Sequence, residues 1–272
     1  MKIRILIVGL AAIAVAAALL HWRWPRVRVV ERAVLLPGSG AMADLVKLED
    51  RAGVRMFERG FRARSWANYL LLPTSNSLWN AVNSEVKKQT VEAVDEFGGQ
   101  FSWREFWWAV REPSASYDWS MHCNWEPQLV LPQVVSLHCT YLEFTGGAHG
   151  NSGFGALNAV ANGSSLREVA LADLFHPDTA WRVVLAAHAA EQINRQKRAR
   201  WGGDFTEELA VTVAPHEMED AVFTLTAEGI RLWFAPYEKG AYAEGSFDPL
   251  VPYDAIVHLL DTNGPARWLP TW

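Results

Sequence analysis

Two long stretches of this chain keep helical spacing, and the segments around them alternate as strands do. That alternation is the strongest limit on the fold. Ser75 or Asn76 can cap a first helix, in which Leu78, Val82, Val86, Val91 and Val94 recur every three to five residues up to about Phe97. Gly98-Gly99 follows as a stop. A second helix is read from about Asp178 to Ala199, with Trp181, Val184, Leu185, His188 and Ile193 on its buried face and Trp201-Gly202-Gly203 at its end. FSWREFWWAV and SYDWSMHCNW place aromatics and valine at alternating positions, as half-buried strands do. AVFTLT and IRLWFAPY form a hairpin around Ala227-Glu228-Gly229, whose glycine can take φ > 0. LVPYDAIVHLL closes the chain with a short strand and a helix. Strand groups alternating with two long helices define an α+β protein, with antiparallel sheets packed against the helices.

The chain has 272 residues, half of them hydrophobic, enough to bury a core. A net charge of −5 argues against nucleic acid as a partner. The main basic cluster, Arg195, Lys197, Arg198 and Arg200, reads as a solvated last turn of the second helix, where cations complement the helix dipole. The N-terminus is basic, then Ile5 to Leu20 is uninterrupted apolar sequence. Sixteen residues match a signal-peptide core and fall short of the roughly 20 that a spanning helix needs. The Trp-Arg pair in HWRWPR, however, suits an interfacial anchor. Either reading exports the rest of the chain, to the periplasm of a bacterial cell with two membranes. Residues 1–24 are thus read as signal peptide or inner-membrane anchor and 25–40 as linker. Two halves follow, 41–140 and 141–265.

Export changes how Cys123 and Cys139 are read. They lie in runs that form neighbouring strands, and a hairpin centred on Leu131 sets them directly opposite each other. A disulfide is favoured, with two buried free thiols as the alternative. His122-Cys123 and His138-Cys139 do not read as four metal ligands, because successive strand residues point to opposite faces.

The segment YLEFTGGAHGNSGFGALN, Tyr141 to Asn158, holds five glycines and one histidine. It lacks the Gly-Lys-Ser/Thr end of a phosphate loop and the helix that follows a dinucleotide loop, so nucleotide binding is rejected. Ser152 lacks a nucleophile elbow. Gly146-Gly147 directly after a strand reads as a sharp exit with φ > 0, and His149 as a brace that bonds the loop backbone. No cofactor, metal or catalytic set is assigned.

VVSLHCTYLEFTGGAHG, LREVALADLF, the long helix, FTLTAEGIRLWFAPYEKGAYAEG and LVPYDAI occur in an order that resembles one extracytoplasmic domain. That domain is shared by RsiV-type anti-sigma factors and the non-catalytic part of PdaC-type peptidoglycan deacetylases (domain-of-unknown-function family 3298, with a companion family 4163-like N-terminal half). The resemblance runs from about residue 40 to 262. It implies an α+β module at the cell envelope, which in RsiV recognises lysozyme and in PdaC accompanies a glycan-acting domain. This chain departs from both: it shows no deacetylase domain and no cytoplasmic region for a sigma factor, and Gly240-Ala241-Tyr242 replaces the usual Ala-Pro-Tyr. The expectation is a periplasmic binding module for c-type lysozyme or a peptidoglycan fragment. Gly146, Gly147, His149, Asn151, Tyr237, Tyr242 and Gly245 are its candidate ligand-facing residues. An enzyme acting on envelope glycans, or a structural envelope protein, are the competing expectations.

Overall fold

The computed structural model describes residues 22–23, 26–56, 59–100, 118–163 and 165–270. The apolar segment Ile5 to Leu20 and the strand expected at 101–110 lie outside them. Among the described residues no helix is long and apolar enough to cross a membrane.

Eight strands form one sheet: β1 (Trp22–Arg23), β2 (Val27–Leu35), β3 (Met42–Met56), β4 (Arg59–Leu71), β5 (Asp118–Val130), β6 (Val134–Phe144), β7 (Asn151–Asn162) and β8 (Ser165–Glu168). Both β1 and β2 pair with β3, so the stretch expected to be a linker is largely a strand. The boundary expected between residues 140 and 141 falls inside β6, which joins β5 and β7 into one continuous sheet. One pairing departs from the antiparallel expectation: β4 and β5 run parallel over Arg62–Asn68 and Asp118–Asn124. The helix α1 (Ser77–Gly99) separates them in sequence and carries the chain back along the sheet, as parallel neighbours require.

α1 forms where its spacing places it. The Asn76 side chain caps it by accepting from the Trp79 N–H at 3.1 Å. Leu78, Trp79, Val82, Val86, Thr90, Val94 and Phe97 are buried on its inner stripe. Their partners are Met121, Cys123, Leu137, Cys139, Leu157 and Ala159 on one face of the sheet. The cysteines occupy this face, but they are not directly opposed. Cys123 pairs with Tyr141 and Trp125 with Cys139, because the β5–β6 hairpin centres one residue beyond Leu131 and is irregular between Pro127 and Leu129. The two sulfurs lie 3.3 Å apart as buried free thiols, so the favoured disulfide is not present. Burial pushes the Cys139 thiol well above its ordinary value.

A second core holds α2 (Trp181–Trp201), a three-stranded sheet of β9 (Val222–Leu225), β10 (Gly229–Trp233) and β11 (Leu250–Pro252), and the one-turn helix α3 (Tyr253–Ile256). The β9–β10 hairpin forms as read, but Gly229 is not in the left-handed region. Its need is contact: a Cβ there would stand 2.2 Å from the Val251 carbonyl oxygen on β11.

The two sheets meet through side chains. Ser136 on β6 donates to Asn158 Oδ1 on β7 at 2.7 Å and accepts the Leu225 N–H of β9 at 2.8 Å. Asn158 Nδ2 donates to the Phe223 carbonyl at 2.8 Å. Ser136 and Asn158 thereby stand in for a strand neighbour along β9. Ser136→Ala strips the buried Leu225 N–H of its acceptor, and an orphaned buried donor costs about 1–3 kcal/mol. Urea unfolding of the variant should show that loss with an unchanged slope.

Candidate functional site

Past the seam, β7 begins beside the turn that holds Gly146, Gly147 and His149. The two glycines take φ of +103° and +97°, the sharp exit expected of them. His149 Nδ1 donates to the Gly150 carbonyl at 3.0 Å, which braces the turn as read from sequence. The ring itself is exposed, and its other nitrogen faces outward to the second sheet's loops. Tyr237 O–H donates to His149 Nε2 at 3.2 Å, while Tyr242 stacks on the imidazole with centroids 3.9 Å apart and donates to the Gly150 carbonyl at 2.9 Å. Tyr237 and Tyr242 sit 5.4 Å apart, tilted by 36°. This pattern makes Nδ1 the protonated nitrogen and leaves Nε2 an acceptor.

The three aromatic residues singled out in the sequence therefore converge, although 88 positions separate His149 from Tyr237. Gly245, at φ of +73°, shapes the turn after Tyr242. Asn151 opens β7 opposite Glu143 and is exposed. Tyr237 is 62% exposed and takes φ of +76°, the one non-glycine residue at positive φ among the described residues. A bulky side chain in that region is a genuine outlier.

Five charged residues that sequence reasoning did not single out as functional hold the tyrosine loop. Lys197 Nζ on α2 reaches Glu244 Oε2 at 3.2 Å and donates to the Leu209 carbonyl at 3.1 Å. The Lys197 and Glu244 side chains are 4% and 7% exposed. Trp201 Nε1 and the Ala241 N–H also donate to Glu244, at 3.1 Å and 2.9 Å. Arg200 donates to the Glu244 and Ser246 carbonyls and lies over the Phe247 ring at 4.3 Å. The basic end of α2 is thus in part a buried clamp and not a wholly solvated last turn. Its spacing carried the warning, since Lys197 falls four residues after Ile193 on the buried stripe. On the Tyr237 side, the buried Lys239 pairs with Glu217 and lies over Phe234 at 5.3 Å.

Burial acts to raise both carboxyls, but the donors outweigh it. For Glu244 these are Trp201, the Ala241 N–H and Lys197; for Glu217 they are Lys239 and the Ala214 N–H. Both groups are held below their ordinary value. Among the described residues no group of three or more His, Cys, Asp or Glu gathers as a metal site.

Residues 172–254 match the family described as "Protein of unknown function (DUF3298)". This segment is a DUF3298 domain. It contains Tyr237 and Tyr242, whereas the His149 turn lies before it. Two solved structures share the fold. One is a DUF3298 family member from Bacteroides fragilis, 19% identical with a TM-score of 0.55, covering 89% of this chain and 94% of that one. The other is a DUF3298 family protein from Pseudomonas aeruginosa, 16% identical with a TM-score of 0.50, covering 88% and 95%. The comparison with curated proteins returned no match.

Lys197→Met leaves Glu244 buried without its cation, and such one-sided losses cost about 3–5 kcal/mol. Urea unfolding should show this, with loosening of the Tyr242 loop in the amide spectrum. Carboxyls held low in the fold stabilise it fully above about pH 4.3, their unfolded value, and lose that effect as pH falls through the lower folded values. Thermal midpoints should therefore drop below that pH, and the drop should be shallower in Glu244→Gln.

Proposed function

We propose that this protein is a binding module of the bacterial cell envelope. Its Tyr237–Tyr242 surface recognises a cell-wall-related partner, either c-type lysozyme or a peptidoglycan fragment. The observation that carries the reading is Tyr237: a half-exposed or freer aromatic ring is common, but this one is 62% exposed at φ of +76° on a loop clamped from two sides. Such backbone costs of order 1–3 kcal/mol and persists where the surroundings over-determine it, as they do at recognition sites. Rigid tyrosines give contact area at low entropy cost and keep a hydroxyl for a partner. With its O–H directed at His149 Nε2, the Tyr237 oxygen still has lone pairs for a donor on the partner.

Catalysis by His149 is the weaker reading. Nδ1 is engaged by a backbone carbonyl and Nε2 by a phenol, so neither nitrogen is free to act as a base. Export, with an inner-membrane anchor or a cleaved signal peptide at residues 1–24, belongs to the same proposal and is supported by the basic start and apolar run of that segment.

Calorimetric titration of the purified protein with c-type lysozyme, and separately with muropeptides, tests the reading. Saturable heat is expected with one of them, and Tyr237→Ala should weaken it at least tenfold while leaving the far-ultraviolet spectrum unchanged. Absence of heat with both would sink the proposal.

A further inference from the structure

His138 lies on β6 two residues from Ser136, facing the same seam between the sheets. Its residue is 2% exposed, and neither ring nitrogen has a hydrogen-bond partner. The ring stacks on Trp233 of β10 with centroids 3.6 Å apart and planes 11° apart, and it tilts against Phe154 of β7 at 5.2 Å. Trp233 is fixed in turn by donating Nε1 to Thr224 Oγ1 at 3.0 Å. Three ties between the sheets therefore follow one another along β6 and β7: the Ser136–Asn158 pair, the His138–Trp233 stack, and the His149–Tyr237–Tyr242 cluster. The middle one is the tie that can take up a proton without already being hydrogen-bonded.

We propose that His138 is an acid-sensitive latch: proton uptake by its ring in the opened seam holds the two sheets apart, and so parts Tyr237 and Tyr242 from His149. The consequence for partner binding rests on the function proposed above; the latch itself does not.

The argument is one of placement. A closed seam offers the imidazolium no acceptor, and a buried charge without a partner is strongly disfavoured. Opening gives both nitrogens to water. Among the described residues, the charged groups facing the ring are Arg231 and Asp248, which pair at 2.7 Å beside Trp233, and Glu126, its register partner on β5. Glu126 is exposed and accepts from Asn124 Nδ2 at 2.8 Å. β7 offers Phe154 and the register partner Ala156, and β9 offers Thr224, none of which titrates in this range. Burial depresses the ring to about 4, with Asp248 opposing and Arg231 assisting. The sign follows. The closed state binds fewer protons than the open state between pH 6.5 and about 4, so closure weakens as pH falls through that window.

The test reads the seam directly in the full chain. Hydrogen exchange at the Leu225 amide, corrected for intrinsic rates, gives the opening equilibrium at pH 7 and pH 5, where Glu217 and Glu244 remain ionised. Opening should grow by about tenfold or more between these pH values in the wild type. It should stay level in His138→Phe, which keeps a stacking ring and cannot titrate. Extended to pH 4, where the closed ring itself begins to titrate, the comparison of two further variants reads the sign even if His138→Phe folds poorly: Arg231→Met should reduce the pH response and Asp248→Asn enlarge it, with any contribution of Glu217 and Glu244 common to both. An equal response between pH 7 and pH 5 in wild type and His138→Phe, or equal responses of the two charge variants between pH 7 and pH 4, would overturn the latch. c-Type lysozyme serves as the binding probe. If it binds at pH 7, its loss at pH 5 should be spared by His138→Phe, and equal loss in both proteins would overturn the regulatory consequence. If it fails to bind at pH 7, the proposed function loses support while the exchange result still decides the latch.

Discussion

The structure depends on two polar side chains that take the place of a strand. β9 lies at the edge of its small sheet, and the carbonyl of Phe223 and the N–H of Leu225 point toward the large one. Without Asn158 and Ser136 these groups would be buried and unpaired, which proteins rarely tolerate. With them, the small sheet docks at one register on β6 and β7, because a hydrogen bond is directional where apolar packing alone is not. Every feature further along the chain inherits that placement. The loop after β10 reaches the turn before β7 only because β9 and β10 are held where they are.

On that frame, electrostatics decides how firmly the tyrosine loop is held. Lys197 and Glu244 are almost wholly buried, and an isolated buried ion pair is seldom a net source of stability. What the pair provides here is a single arrangement. The Glu244 carboxylate gathers donors from Lys197 and Trp201 of α2 and from the Ala241 N–H, so the turn of Tyr242 has one low-energy path. Lys239 and Glu217 do the same for the turn of Tyr237. An exposed tyrosine at positive φ is then a consequence of a loop fixed at both ends.

The aromatic cluster also crosses the edge of the recognised domain. Tyr237 and Tyr242 lie within residues 172–254, and His149 lies before them on the turn between β6 and β7. The 16–19% identity to the solved DUF3298 proteins carries the fold over most of the chain and carries nothing about what the surface meets. A reading of this protein's role therefore rests on the cluster's own chemistry: two phenols and an imidazole, with the imidazole nitrogens already engaged.

The chain's local patterns were sufficient for both long helices and for several strands, but not for β2, which reads as linker. Helical spacing after a cap at Ser75 or Asn76 marks α1, alternation marks β5, and Gly146-Gly147 after an apolar run marks a sharp exit, because each of these is decided by neighbours within a few residues. The order of segments brought His149, Tyr237 and Tyr242 forward as one set. What sequence could not decide was register and burial. A hairpin shifted by one residue left Cys123 and Cys139 diagonal to each other, as thiols. A lysine in a basic run became a buried clamp, and an ordinary serine and asparagine became the joint between two sheets. Local spacing specifies which face a residue takes within its own element. Which partner it meets there depends on how distant elements dock, and that is set by the sum of contacts across the whole fold.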